Sequence, residues 1–279
     1  MPELPEVETI RRDLNQQIPG AEVAGVLVHH RDLLLSGWTP GRFGAAVTGS
    51  VFGPLVRRGK FLGFPLGKGD ARRVMRVQLR MTGRFAIGAD SPPPEAGFRH
   101  PGIDFALADG RTLYYDDVRR LGGIDLLLPS EWRQMSRNLG PEPLARSFTG
   151  KRLHTILAPL KAPIKNVLLD QRRVAGIGNI YASEALFRAG IDPRRPAGEL
   201  TLDEARGLHR WVRRILRGAL EARGTRLRDY QAVNGRSGRY RDKLRVYGRY
   251  GEPCPRCRRS IDRLNQAGRS TFFCPACQR

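Results

Sequence analysis

All four cysteines of this 279-residue chain fall in its last 26 residues, as two C-x2-C knuckles. Cys254-Pro-Arg-Cys257 and Cys274-Pro-Ala-Cys277 stand 16 residues apart. Each knuckle offers two sulfurs from one tight turn, and the pair suits tetrahedral Zn²⁺. Four thiolates leave no open coordination position, so the spacing predicts one structural zinc ion. Two redox disulfides are the competing reading, a poor one for a cytosolic chain with no other cysteine. Between the knuckles, RRSIDRLNQAGRSTFF predicts a β-hairpin turning near Ala267-Gly268 with Arg269 close to its tip. An arginine there either contacts phosphate or is a solvated turn residue, and the residues alone leave both open.

The finger closes a strongly basic chain. Lys and Arg number 49 against 27 Asp and Glu, a formal net charge of +22, and the excess is mostly arginine, whose planar fork suits phosphate. Such a charge opposes compaction unless a polyanion neutralises it, so nucleic acid is the expected partner and an anionic membrane surface comes well behind. The basic residues are spread along the chain rather than gathered in a tail. No apolar stretch is long enough to span a bilayer and no signal-peptide pattern opens the chain, which predicts a cytoplasmic, nucleoid-associated setting.

The length fits two domains with a small appendage. PEVETIRRDLNQQI reads as a helix with Pro5 in its first turn and Val7, Ile10 and Leu14 on one face; Pro19-Gly20 stops it. From Ala21 to about Leu128 short strands with turn signals follow, including hairpins at Gly67–Asp70 and Asp109-Gly110, which predicts an all-β sandwich or barrel under the helix. LGPEPL (Leu139–Leu144) reads as a linker. Helices follow: IKNVLLDQ, then IYASEALFRAG after a glycine turn, then a long helix. Thr201 and Glu204 cap that long helix, and Leu202, Ala205, Leu208, Val212, Ile215 and Ala219 make its buried stripe. Residues 224–243, rich in Gly and Arg, read as a mobile loop and a candidate lid. The expected domains are 1–135, 136–243 and 244–279.

Two smaller signals bear on chemistry. Pro2 becomes a secondary amine if Met1 is removed; it either reacts or merely opens the helix. AGIGN sets Gly176, Gly178 and Asn179 ahead of a helix, where backbone N–H groups suit a phosphate, although a G-x-G turn is more often only a turn.

PELPEVET, RRGKF (Arg57–Phe61), LGPEPL, GIGNIYASEALF, VYGRYGEPC and the four-cysteine finger occur here in one order. Together they resemble the bacterial formamidopyrimidine-DNA glycosylases over nearly the whole chain. The resemblance implies an α+β multidomain fold: an N-terminal helix with a β-sandwich, a helical helix–two-turns–helix domain, and a zinc β-hairpin finger. It implies a monomer acting on double-stranded DNA with oxidised bases or abasic sites, excising oxidised purines such as 8-oxoguanine and nicking the strand. By position, the nucleophile falls on Pro2, the first catalytic acid on Glu3, the β-elimination lysine on Lys60 and the finger arginine on Arg269. DNA contacts fall on His100, Arg119, Lys161 and Asn179, and Met81 and Arg119 match the residues wedged into the duplex. A family H-L-G-M motif is Gln78-Leu79-Arg80-Met81 here, so Gln78 replaces a histidine. A family D-P-R-R-F-G motif is Asp117-Val118-Arg119-Arg120-Leu121-Gly122, so Leu121 supplies an apolar wedge that cannot stack as phenylalanine would. Lys60 also reads as a phosphate-pairing lysine, and Met81 as core packing. The alternatives in function are an endonuclease VIII-like enzyme for oxidised pyrimidines and a non-catalytic zinc DNA-binding protein.

Overall fold

The computed structural model describes residues 2–89, 91–225, 233–235 and 238–279. It divides into two compact units, 1–137 with 222–239, and 138–221 with 240–279.

In the first unit, helix α1 (Leu4–Asn15) turns Val7, Ile10 and Leu14 inward, each at most 1% exposed. Each such side chain contributes roughly 1.5–3 kcal/mol of apolar burial. Strand β1 (Val23–Val28) follows, then helix α2 (Pro40–Val47), which Thr39 caps through its side chain with Pro40 in the first turn. That Thr-Pro start signal interrupts a region whose sequence suggests only strands. Next come β2 (Val51–Phe52), β3 (Val56–Arg58), β4 (Phe61–Lys68), β5 (Ala71–Gln78), β6 (Gly83–Gly88), β7 (Pro101–Leu107), β8 (Thr112–Asp117), β9 (Gly123–Leu127) and helix α3 (Pro129–Arg137).

The strands form two antiparallel sheets, ordered β1-β7-β8-β6 and β2-β4-β5-β9, with β3 paired to β4. The sheets face each other across one core. Phe64 of β4 lies 5.5 Å from Phe85 of β6, and Phe85 lies 5.1 Å from Tyr115 of β8. This is the predicted sandwich, with the expected turns at Gly69 (φ +54°) and Gly110 (φ +86°).

The second unit holds α4 (Gly150–Leu157), α5 (Ile164–Leu169), α6 (Asn179–Ala189), α7 (Leu202–Glu221) and the hairpin of β10 (Asp262–Gln266) and β11 (Arg269–Phe273). The predicted cap of α7 is reciprocal: Glu204 accepts the Thr201 N–H at 2.8 Å, and Thr201 Oγ1 accepts the Glu204 N–H at 3.2 Å. Its predicted stripe is buried except at Leu202, which is half-buried, and Leu216 joins it.

Three sets of contacts bear on how the chain is organised. LGPEPL is not a free linker: the Gly140 N–H donates to Gln171 and Pro141 accepts from Ala175, so the division precedes it. The finger packs on the helical unit through an apolar cluster of Phe187, Val246, Cys254, Ile261 and Cys274. Residues 222–225, 233–235 and 238–239 group with the sandwich, where Val233 joins the core. Within the predicted 224–243 loop, 226–232 and 236–237 lie outside the described residues. No helix among the described residues is long and apolar enough to cross a membrane.

Candidate active site and nucleic-acid interface

Pro2 and Glu3 stand at the mouth of α1, and both are buried. Glu3 is the N-cap of a reciprocal box: its carboxylate accepts the Glu6 backbone N–H, and Glu6 accepts the Glu3 N–H at 2.9 Å. The box sets the direction in which Pro2 leaves the helix. Glu6 also accepts the Thr225 N–H at 2.8 Å, and Asp13 accepts Arg223 at 2.6 and 2.7 Å. The helix that carries Pro2 therefore holds the chain leading into the 226–232 segment. From sequence both acids look like ordinary helix residues, Glu6 as one that suits the dipole's positive end; Thr225 and Arg223 arrive from far along the chain.

Lys60 lies in the tight turn between β3 and β4. Arg58 pairs with Phe61 across β3 and β4, and Gly59 takes the positive φ, +56°, that a two-residue hairpin turn needs at its first central position. Arg57 ties this turn to α1, reaching Glu8 Oε2 at 3.1 Å and the Gly59 carbonyl at 2.9 Å. Burial pushes the Glu8 carboxyl up, but bonds from Arg11 and Arg12 and the charge of Arg57 outweigh it and hold the pKa at about 2. A folded pKa below the ordinary 4.5 means that the stabilisation is present above that value and is lost as pH falls toward 2. Glu8→Gln is expected to cost roughly 2–3 kcal/mol in urea unfolding at neutral pH. The gap from wild type should close as pH drops from about 5 toward 2. A gap independent of pH would assign the loss to packing rather than charge.

Gln78 ends β5, half-buried, paired to Phe61 on one side and Gly123 on the other. One sheet end thus gathers the Lys60 turn, Gln78 and the loop holding Leu121. Asp117, 1% exposed at the end of β8, organises the apolar tips there. Its carboxylate accepts the Thr82 hydroxyl, the Gly122 N–H at 2.7 Å and the Tyr115 hydroxyl at 3.5 Å. Thr82 in turn accepts the Arg119 N–H at 3.1 Å. Burial and then the Asp117 charge push the Tyr115 phenol well above its usual pKa, so it remains a donor. The knot presents Met81, Val118 and Leu121 to solvent at 37, 46 and 48% exposure, which removes the core-packing reading of Met81. An Arg119 terminal N–H lies 3.3 Å from the Met81 sulfur. Arg80 and Arg120 hold positive φ, +51° and +47°, unfavourable for non-glycine residues. His100 is exposed, its backbone donating to Asp116 at 2.7 Å, while Arg84 grips the same carboxylate at 2.6 and 2.8 Å.

In the second unit Lys161 is exposed ahead of α5. Gln171 shapes the two turns between α5 and α6, donating to Leu169 and Ile177 at 2.9 Å each and accepting from Gly176 at 2.8 Å. Asn179 opens α6 and donates one amide hydrogen to the Ser270 carbonyl at 2.9 Å; the amide carries a second. Buried Lys165 reaches Thr271 Oγ1 at 2.5 Å and the Ser270 carbonyl at 3.4 Å. Both helices thus brace the strand residues next to Arg269. Arg269 is exposed beyond a turn with Ala267 at φ +50° and Gly268 at φ +72°, as its sequence predicts. Glu184 accepts the backbone N–H groups of Arg245, Val246 and Tyr247, each at 2.9 Å; burial nevertheless pushes its carboxyl up.

The four thiol sulfurs all lie within 4.8 Å of one another, with Cys254–Cys277 at 3.9 Å and Cys257–Cys274 at 3.4 Å. Tetrahedral zinc with Zn–S near 2.3 Å requires sulfurs about 3.8 Å apart, so the set fits one structural Zn²⁺.

Three family descriptions match this chain: the formamidopyrimidine-DNA glycosylase N-terminal domain over residues 1–124, the formamidopyrimidine-DNA glycosylase H2TH domain over 139–231, and a zinc finger found in FPG and IleRS over 251–279. The formamidopyrimidine-DNA glycosylase of Desulfitobacterium hafniense is 44% identical over all of both chains. The structure of Lactococcus lactis Fpg with DNA containing an abasic site superposes with a TM-score of 0.89 at 34% identity, covering 99% of each chain. That of the wild-type Lactococcus protein with N7-benzyl-Fapy-dG DNA gives 0.89 at 33% identity over all of both chains. With the sandwich, the two-turn helical pair and the four-thiol hairpin matched in one order, the chain belongs to the formamidopyrimidine-DNA glycosylase family.

Proposed function

We infer that this protein is a glycosylase of base excision repair that removes oxidised purines from duplex DNA and then cleaves the strand as an AP lyase. The observation that carries this reading is the Pro2-Glu3 pair at the start of α1, with the Lys60 turn tied to the same helix through Arg57 and Glu8.

With Met1 removed, Pro2 offers a secondary amine. An α-amine titrates near ~8, well below lysine, and the positive end of a helix dipole lowers it further. Its lone pair attacks C1′ of the damaged nucleotide; the glycosidic bond breaks and its electrons leave with the base, which takes up a proton. Glu3 protonates the ring oxygen as the sugar opens, leaving an iminium between Pro2 and C1′. The iminium acidifies the C2′ hydrogen, and its loss expels the 3′ phosphate. A second elimination expels the 5′ phosphate, and water then frees Pro2. Lys60 serves the first elimination and Arg269 the second, each positioned against a phosphate. Met81, Arg119 and Leu121 fill the gap left by the extruded nucleotide, while His100, Gln78, Lys161 and Asn179 hold the backbone. The zinc supplies no reaction step; it holds the hairpin that presents Arg269. A protein with this substrate acts on the DNA of a bacterial cytoplasm.

Borohydride reduces an iminium to a stable C–N bond, so treatment during reaction with abasic-site DNA is expected to leave an adduct on Pro2 of a chain lacking Met1. Absence of any adduct would leave only a DNA-binding zinc protein. Matched duplexes decide the substrate: faster release of thymine glycol than of 8-oxoguanine opposite cytosine would move the enzyme to oxidised pyrimidines.

A further inference from the structure

The second unit carries a basic feature that none of this chemistry uses. A groove of about 930 Å³ runs beside the outward face of α7, and Lys161, Asn179 and Arg269 are not among its lining residues. Six arginines and one lysine line it against a single carboxylate, Glu221.

The charge is organised. Arg210, Arg214 and Arg217 recur at i, i+4 and i+7, away from the buried stripe, and all three are exposed. Among the described residues none of the three forms an ion pair. The contrast lies on the same helix, whose first half is neutralised by Arg195–Glu204 at 2.6 Å and Arg206–Asp203 at 3.0 Å. A helix C-terminus favours cations through its dipole, but by only about 0.3–1 kcal/mol each, and that effect falls off within the last turn. It does not account for a row reaching back to Arg210. The positive potential is felt nearby: burial and then Arg245 push the Arg188 guanidinium below its usual pKa, and burial and then Arg217 do the same to Arg213. Arg188 and Arg214 both stack on the Trp211 ring, 5.4 and 5.2 Å from its centroid.

We propose that this groove is a second DNA-phosphate site, separate from the lesion site, that takes the backbone of an undamaged duplex. The row spans about 10 Å at 1.5 Å per residue, about three phosphate-to-phosphate steps along the axis of one strand. Arginine forks grip phosphate oxygens two at a time. An acidic protein partner is disfavoured because it needs apolar and aromatic anchors, and the groove's tryptophan is already stacked. Holding a second segment lets the enzyme pass from one duplex to another without first dissociating.

The test uses the zinc-loaded full chain, saturated with a short duplex bearing a tetrahydrofuran abasic analogue so that the lesion site is filled. Titration with a fluorescein-labelled undamaged duplex should raise anisotropy, and native mass spectrometry should show two duplexes per protein. The triple variant Arg210→Glu, Arg214→Glu, Arg217→Glu is expected to weaken the second duplex at least about tenfold and to flatten its salt slope by about 2–3. Single-turnover excision on a short lesion duplex should stay unchanged. The corresponding triple glutamine variant serves if charge reversal lowers the melting temperature. The proposal falls if the saturated wild type binds no second duplex, or if wild type and both variants bind it equally. Binding of poly-glutamate without duplex would hand the groove to an acidic protein. Borohydride trapping at Pro2 is read separately, so this proposal and the catalytic one fail independently.

Discussion

Glu3→Gln is expected to separate base excision from strand cleavage. Release of 8-oxoguanine should slow about 10²–10⁴-fold, the usual contribution of a positioned general acid. Cleavage of a pre-formed abasic site should slow far less, because an abasic sugar reaches the open form without that proton. The substitution suits this purpose. Glutamine keeps the side-chain length and an acceptor oxygen, so the bond from the Glu6 N–H survives and the capping box with it. The fold loses only a charge at a helix start, about 1 kcal/mol or less. Single-turnover rates on the two duplexes, with thermal melts alongside, make the comparison. Equal losses in both reactions, or a large drop in melting temperature, would return Glu3 to a purely structural role.

Removal of zinc should unfold the finger and leave the sandwich intact. The cluster beneath the finger is small: Phe187, Val246, Cys254, Ile261 and Cys274. A structural zinc site supplies on the order of 10–16 kcal/mol in isolated fingers, more than so few side chains can replace. Metal-free thiols do not substitute, because burial and then the neighbouring thiols push Cys277 up to about 12. Four thiolates cannot ionise together without a cation between them. Stripping the metal therefore releases β10 and β11, frees Ser270 and Thr271 from Asn179 and Lys165, and removes Arg269 from its place. Hydrogen exchange over residues 262–273 should rise to that of an unfolded chain while the strands of the first unit stay protected. DNA affinity should fall at least about tenfold as phosphate contacts are lost. The Pro2 amine belongs to the other unit and should still react with a small aldehyde at its former rate. Unchanged DNA binding after complete zinc loss would contradict the role given to the finger.

Local chemistry was legible where one residue type decides the geometry. The sulfur spacing, the Ala267-Gly268 turn, the Asp109-Gly110 turn and the Thr201–Glu204 cap each involve partners only a few residues apart, or a motif with one coordination solution. Helix α2 has a start signal at Thr39 and Pro40 that the strand reading of Ala21 to Leu128 passes over, because its short apolar pattern merges with the strands around it. Leu139–Leu144 carries the prolines of a linker, but its backbone groups bond to Gln171 and Ala175. Proline content reports a fixed φ and a missing N–H donor; it does not report what the segment packs against.

By itself the sequence determined the zinc ligands, the helix that begins behind Pro2 and the order of motifs that marks the family, because these depend on neighbours along the chain. Tertiary structure alone decided that Glu6 and Asp13 hold Thr225 and Arg223, that Arg57 joins the Lys60 turn to α1, and that Asp117 locks two loops so that Met81 and Leu121 face solvent. Apart from Asp117–Gly122, which are five positions apart, those links join residues tens to hundreds of positions apart. A carboxylate or guanidinium does not encode its partner; burial and chain closure bring the partner to it.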